Sequence, residues 1–199
     1  MARIISVDIF MVDLQPMVRR TDAIQSFDSQ QTPFVQITDS DGVTGLGYSY
    51  TIGQGGSAVM ALLRDDLIGQ LIGQDAEEIG RIWRDLLFSI HATAVGAISS
   101  LALAAIDIAL WDIKGKATNL PVWKLLGGAQ SIVPAYITFG LPEYSQKQLV
   151  EVAKSFVDQG EDKLKMVVGV AGDHQGWKED SKRVHAVRDA IGPDVQLSM

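Results

Sequence analysis

The residues of this chain best suited to chemistry are two lysines separated by a single residue. Lys163-Leu164-Lys165 runs into Met166-Val167-Val168, an apolar stretch that reads as a strand. Side chains alternate along a strand, so Lys163, Lys165 and Val167 share one face. On a water-exposed strand these would be solvated lysines. The apolar neighbours point to burial instead, and two buried ammonium groups are costly unless something anionic meets them. Neighbouring positive charge also lowers a lysine's pKa, which suits it to proton transfer. The other candidates for chemistry are weaker. His91, His174 and His185 lack the clustered spacing of metal ligands. The stretch Thr51-Ile52-Gly53-Gln54-Gly55-Gly56-Ser57 is glycine-rich, but it lacks the lysine and spacing of a P-loop. It reads as a turn with a helix N-cap at Ser57 rather than as a phosphate cradle.

The elements that must position the lysines alternate. Residues 132–138 read as a strand. Ser145 with Gln148 forms a capping box that opens a helix through Phe156 to Gln159. Residues 162–168 are the lysine strand, residues 177–191 a helix with Val184, Val187 and Ile191 on one face, and residues 194–199 a further strand. Strands about 30 residues apart with helices between them make βαβ units and parallel pairing. Three strands are short of the eight that close a barrel, so the chain is expected to be the front part of a longer protein.

The first part has a different rhythm. Residues 3–14 alternate as a strand. Residues 16–33 are polar and long for a connection. Residues 34–38 and 43–50 alternate again around the turn Asp39-Ser40-Asp41-Gly42, which gives a three-stranded antiparallel meander. Gly45 and Gly47 mark a bulge or a close backbone approach. Asp75 and Glu78 read as a capping box before Ile79, Ile82, Trp83, Leu86, Leu87 and Ile90, which are spaced as an amphipathic helix. Residues 92–128 follow. Their Ala- and Leu-rich first half carries no charge before Asp107 and reads as a core helix buried nearly all round. It is too short to span a bilayer, which takes about 20 apolar residues. The first part is therefore α+β.

Composition excludes several classes of function. The 199-residue chain has a net charge of -7 and no cysteine. It has no basic run for nucleic acid or an anionic membrane surface. It has no thiols for disulfides or thiolate metal sites. Its start has no secretory h-region, which fits a soluble, cytoplasmic protein.

The run Ala102, Ala104, Ala105, Ile106, Asp107, Ala109, Leu110, Asp112, Gly115, Lys116, Pro121, Leu125, Leu126 and Gly127 resembles the signature of the mandelate racemase and muconate-lactonizing enzyme family, within the enolase superfamily. The likeness covers essentially the whole chain. It implies an α+β capping domain over residues 1–128. Residues 129–199 are then the first strands and helices of a truncated (β/α) TIM-type barrel. It further implies a Mg²⁺-dependent enzyme that abstracts the proton next to a carboxylate, the metal stabilising the enediolate. Dehydration of a sugar acid is the expected reaction. A racemase or cycloisomerase is the alternative, and a truncated or degenerate non-catalytic relative is the rival.

In such a family the second barrel strand supplies a Lys-x-Lys pair. Read directly, Lys165 is the base and Lys163 its electrostatic helper. Aligned on Gly160 and Gly169 instead, Lys165 takes the helper's place and Val167 the base's, and a valine cannot take a proton. By position, Arg19, Arg20 and Tyr50 lie in the loops that close over substrate. The resemblance places the first metal carboxylate just after Met199, so no metal ligand is expected within these residues and the chain alone is expected to be inactive. The expected partners are a small acid-sugar or hydroxy-acid substrate and further copies of the chain, not nucleic acid or membrane.

Overall fold

The structure is a computed structural model that describes residues 2–17, 20–21, 26–169 and 176–199. Strand β1 (Ile4–Leu14) is followed by the short β2 (Arg20–Thr21) and β3 (Ser26–Phe27), then β4 (Gln30–Asp39), β5 (Thr44–Tyr48) and β6 (Thr51–Ile52). Helices α1 (Gly56–Leu62), α2 (Ile79–Ser89), α3 (Ala97–Thr118) and α4 (Val122–Leu125) come next. The chain ends in β7 (Ile137–Phe139), α5 (Gln146–Asp158), β8 (Lys163–Met166), α6 (Gly176–Ile191) and β9 (Gln196–Ser198). These elements form two compact units, residues 1–16 with 29–129, and residues 17–28 with 130–199. Residues 17–28 thus group with the second unit although they lie early in the chain.

In the first unit, β4 is the central strand of the antiparallel order β1-β4-β5. Its alternation decides the layers. Val35 and Ile37 are fully buried, while Phe34, Gln36 and Thr38 take the other face. The turn after β4 is closed by Asp39, whose Oδ1 accepts from the amides of Asp41 and Val43, both at 2.9 Å. Helix α3 lies on the β5 side of the sheet at a distance that only glycine permits. A Cβ at Gly47 would overlap the Ala105 carbonyl, and one at Gly45 the Ala109 carbonyl. The approach lets α3 close the free edge of β5. Asp112 Oδ2 accepts from the Leu46 amide at 2.8 Å, and Lys116 Nζ donates to the Thr44 carbonyl at 2.8 Å. The core beneath joins Ile4, Val35 and Ile37 to Leu63, Leu67, Ile82, Leu86, Ile106 and Leu110. Each such side chain contributes about 1.5–3 kcal/mol on burial.

Three local expectations give way here. The capping box at Asp75 does not form. Segment 73–76 pairs with the start of β1, with Ile4 N donating to Gln74 O and Ala76 N to Ala2 O, both at 2.9 Å. That edge pairing keeps it out of the helix, so Asp75 Oδ1 caps only a turn at Glu77 N (3.1 Å) and α2 begins at Ile79. The N-cap of α1 is Gly55, not Ser57, at φ +95°, a conformation glycine adopts without strain. Gln31 Oε1 accepts from the Gly56 amide at 2.9 Å, so this helix start is met from within the chain rather than by a phosphate. Helix α3 is not buried all round. Ala102, Ala105, Ile106, Ala109, Leu110 and Ile113 are buried, but Ile108 is 43% exposed. A helix lying on one sheet and flanked by two helices keeps an outer side.

In the second unit, β7, β8 and β9 form a parallel sheet in that order. Its inner face carries Phe139, Leu164 and Met166. These pack on Leu149 and Ala153 of α5 and on Val187 and Ile191 of α6. Helix α5 opens with the expected box. Ser145 Oγ accepts from the Gln148 amide at 3.3 Å, and Gln148 Oε1 from the Ser145 amide at 2.9 Å. The outer strands are shorter than their sequence patterns. A parallel strand extends only where its neighbour offers a ladder, and β8 has four residues. Ile132 and Val133, expected within the first of these strands, consequently stand in solvent. Three parallel strands with two helices are described, not a closed barrel.

Candidate functional site

The alternation of β8 separates its residues by chemistry. Leu164 and Met166 are buried against the helices, and Lys163 and Lys165 are half-buried on the opposite face. The parallel registers then place Lys165 between Thr138 of β7 and Ser198 of β9. This Thr138–Lys165–Ser198 row lies one residue from the C-terminal ends of β7 and β8 and at the last residue of β9. Lys163 lies opposite Gln196 at the other end of β8. Its ammonium is within 2.7 and 2.9 Å of the two Asp162 oxygens. The hydrogen bond from Lys163, and then its charge, hold the Asp162 carboxyl below its usual range. Lys165 Nζ instead lies over the Tyr136 ring, 5.5 Å from the centroid, a cation–π contact. The two lysines share a face but not an environment.

The loops at the C-terminal ends are fixed from α6 and from the early segment. Val167 N donates to Phe139 O at 3.0 Å. The Gly169 amide meets the Asp180 carboxylate of α6 at 3.0–3.1 Å. Arg183 of α6 is buried and donates to the carbonyls of Pro142 and Leu141 at 2.9 and 3.2 Å. It thereby holds the loop that follows β7. The Thr21 hydroxyl donates to the Glu143 carboxylate in that same loop. A cavity of about 450 Å³ opens here, lined by Met17, Thr138, Gly140, Tyr144, Phe156 and Val167 among others.

Sequence reasoning found the lysines and Val167 but not Thr138, Ser198, Asp180 or Arg183. The row needs a strand register, which no local pattern states. Arg183 did leave a signal, since it lies four residues before Val187 on the stripe that reaches Ile191.

The remaining candidates do not join this group. Arg19 and His174 lie outside the described residues. Arg20 begins β2 in the second unit. Tyr50 is an exposed residue of the first unit. His91 stays near the Phe88 carbonyl (3.2 Å) in the turn after α2, and His185 near the Ser181 carbonyl (2.7 Å) on α6, both exposed. Among the described residues no three His, Asp or Glu side chains gather as a metal site. In the first unit, Asp107 lines a cleft of about 330 Å³ with Trp83, Leu87 and Val95, and burial pushes its carboxyl up.

Comparison with known proteins places this geometry in context. The family model described as mandelate racemase / muconate lactonizing enzyme, N-terminal domain, matches residues 5–127. A 3,6-anhydro-alpha-L-galactonate cycloisomerase of Streptomyces coelicolor is 41% identical over 163 residues, 82% of this chain and 44% of its own length. An L-talarate/galactarate dehydratase of Salmonella typhimurium is 33% identical over 81% of this chain and 40% of its own. Among solved structures, a racemase from Streptomyces coelicolor A3(2) with bound magnesium aligns at a TM-score of 0.89 and 38% identity. That alignment covers 98% of this chain and 54% of the other. The chain thus spans less than half the length of these curated relatives.

Proposed function

We propose, because this chain belongs to the mandelate racemase / muconate lactonizing enzyme family, that it is the N-terminal part of a Mg²⁺-dependent enzyme acting on a carboxylate substrate. The enzyme abstracts the substrate's α-proton, and dehydration of a sugar acid is the reaction. Residues 5–127 are the family's N-terminal domain. We take residues 1–128 as the capping domain and 129–199 as the opening strands and helices of a barrel. Racemisation and cycloisomerisation remain the alternatives within the same chemistry, and the names of the relatives include a racemase and a cycloisomerase. No helix among the described residues is long and apolar enough to cross a membrane. A cytoplasmic location goes with the reading.

The observation that carries it is the Thr138–Lys165–Ser198 row at the C-terminal ends of parallel strands. In barrel enzymes this is the end where substrates bind. Lys165 supplies fixed positive charge there, where a carboxylate or a developing enediolate would lie. Thr138 and Ser198 add hydroxyls on either side. Lys163, held by Asp162 at the far end of the strand, is turned away from that work. This favours the alignment in which Lys165 is the electrostatic group and Val167 stands where a base would be, with the proton taken by a residue of another strand. Arg20 begins β2 in the same unit, and Thr21 beside it is tied to Glu143 near the strand ends, which suits a role for Arg20 in closing over substrate; Arg19 is proposed there only by its position in the sequence. Tyr50 is proposed there only by its position in the sequence.

Magnesium, when bound, would stabilise charge on the substrate carboxylate. By the family resemblance, its ligands are assigned to the rest of the protein. The test uses the full-length protein with aldonic and aldaric acids in D₂O. With Mg²⁺, solvent deuterium is expected at the α-carbon by NMR, and chelation with EDTA is expected to abolish it. Exchange that persists without metal refutes the enediolate mechanism. Neither exchange nor turnover with any acid, metal present, supports the non-catalytic relative.

A further inference from the structure

Arg183 of α6 is only 3% exposed and lies on the buried side of the helix with Val187 and Ile191. Among the described residues no carboxylate pairs with it, and its Nε finds no acceptor. Its charge is met by two carbonyls, those of Pro142 at 2.9 Å and Leu141 at 3.2 Å. A buried guanidinium without a counter-ion is costly, and an apolar side chain of similar volume would pack there as well or better. Core stability therefore does not account for the residue.

The loop that it grips does. Residues 140–144 leave β7 at Gly140, whose φ is +81° and where a Cβ would strike Leu149. The Tyr144 amide donates to the Leu141 carbonyl at 3.0 Å and closes the loop as a turn. Arg183 holds two consecutive carbonyls of that turn with the two ends of its fork, a geometry that a planar guanidinium fixes and a single ammonium does not. The next residue, Glu143, accepts from the Thr21 hydroxyl, and Thr21 stands in the β2–β3 pair opposite Ser26. Met17, from the same early segment, lines the cavity at the strand ends together with Gly140 and Tyr144.

We propose that Arg183 is a positioning residue of the site. By fixing loop 140–144 it sets where Glu143 meets Thr21, and so where the early segment, residues 17–28, rests beside the strand ends. The kinetic consequence rests on the enzyme reading above, whereas the link itself stands on the hydrogen bonds. Among the described residues no hydrogen bond joins Arg183 to Thr138, Lys165 or Ser198, so its effect falls on substrate capture and not on the reaction at Lys165.

Both parts are tested in the full-length protein. Arg183→Met is expected to speed amide hydrogen exchange in peptides covering residues 17–28 by about threefold or more, because the loop loses its anchor. Val187→Ala, a core truncation on the same side of α6, is expected to lower the urea midpoint and to leave that exchange unchanged. With an acid that the parent turns over, Arg183→Met is expected to raise KM about tenfold and to change kcat less than about threefold. Arg183→Lys, which keeps one donor, is expected to recover part of the loss. Thr21→Val is expected to raise KM as Arg183→Met does, and the double variant to be no worse than the worse single, since both cut one chain of contacts. Unchanged exchange over residues 17–28 in a folded Arg183→Met, equal acceleration by Val187→Ala, or additive effects on KM each overturns the positioning role. If Arg183→Met does not fold, Arg183→Lys and Thr21→Val decide by the same comparisons. A protein that turns over no acid with Mg²⁺ present refutes the enzyme reading instead, and exchange over residues 17–28 still decides the link.

Discussion

Lys163 and Lys165 show how much two residues of offset matter along a strand. Both stand on the same face, yet Lys163 is engaged by Asp162 at 2.7 Å and Lys165 is flanked by Thr138 and Ser198. If the full-length protein acts as proposed, Lys165→Ala is expected to lower its turnover about a hundredfold or more, the scale of losing a group that acts on the transition state. Lys163→Ala is expected to cost less than about tenfold. Lys165→Arg separates the two roles. It should keep part of the activity if the residue supplies charge, and none if it takes the proton, because guanidinium stays protonated. Steady-state kinetics on the three variants decides.

Asp107 offers a second test at the same scale. Its carboxyl is pushed up by burial, so the fold favours the neutral acid. The stability this provides is full below the unfolded value of about 3.9 and is lost as pH rises through the raised folded value. Asp107→Asn is therefore expected to match the parent chain in acid and to gain on it from about pH 4 upward. Urea midpoints across that window measure the gain, and a constant difference would remove burial as the cause.

At the scale of elements, helix α3 and strand β5 explain much of the family signature in steric and hydrogen-bond terms. Ala105 and Ala109 present small surfaces to Gly47 and Gly45, and Asp112 and Lys116 serve the edge of β5. The signature thus records how a helix is seated on a sheet, not a reaction. Gly47→Ala is expected to destabilise the chain by at least about 2 kcal/mol, because the contact it strikes is backbone and cannot rotate away. Asp112→Ala leaves the Leu46 amide without its carboxylate and is expected to cost about 1–2 kcal/mol. Both are read from urea unfolding. A Gly47→Ala variant as stable as the parent would mean that α3 does not sit where it is described.

For the molecule as a whole, each unit has its own hydrophobic cluster, and the chain spans less than half of the curated relatives it matches. One face of the second unit is fully clothed by α5 and α6, while the other bears Thr138, Lys165 and Ser198. A parallel sheet is ordinarily covered on both faces, so the polar face suits the interior of a larger assembly of strands. A Mg²⁺ site needs several oxygen ligands at once, and the described residues gather none. Calorimetric titration of the 199-residue chain with Mg²⁺ is expected to show no specific site. The full-length protein is expected to show one. Saturable binding to the chain alone would locate ligands within it.

The sequence by itself determined what depends on neighbours along the chain. The period-2 alternation of β4 and β8, the capping box at Ser145 and Gln148, the glycines at 45 and 47 and the spacing through α3 are all local, and each was legible. Tertiary structure decided the rest. It drew segment 73–76 to the edge of β1 and so moved the start of α2. It shortened β7 and β9 to three residues each, beside a β8 of four. Above all it separated the two lysines, setting Lys165 in a row at the strand ends and leaving Lys163 to Asp162. Registers between strands about 30 residues apart are fixed by packing and by ladders of hydrogen bonds. No pattern within a single strand contains them.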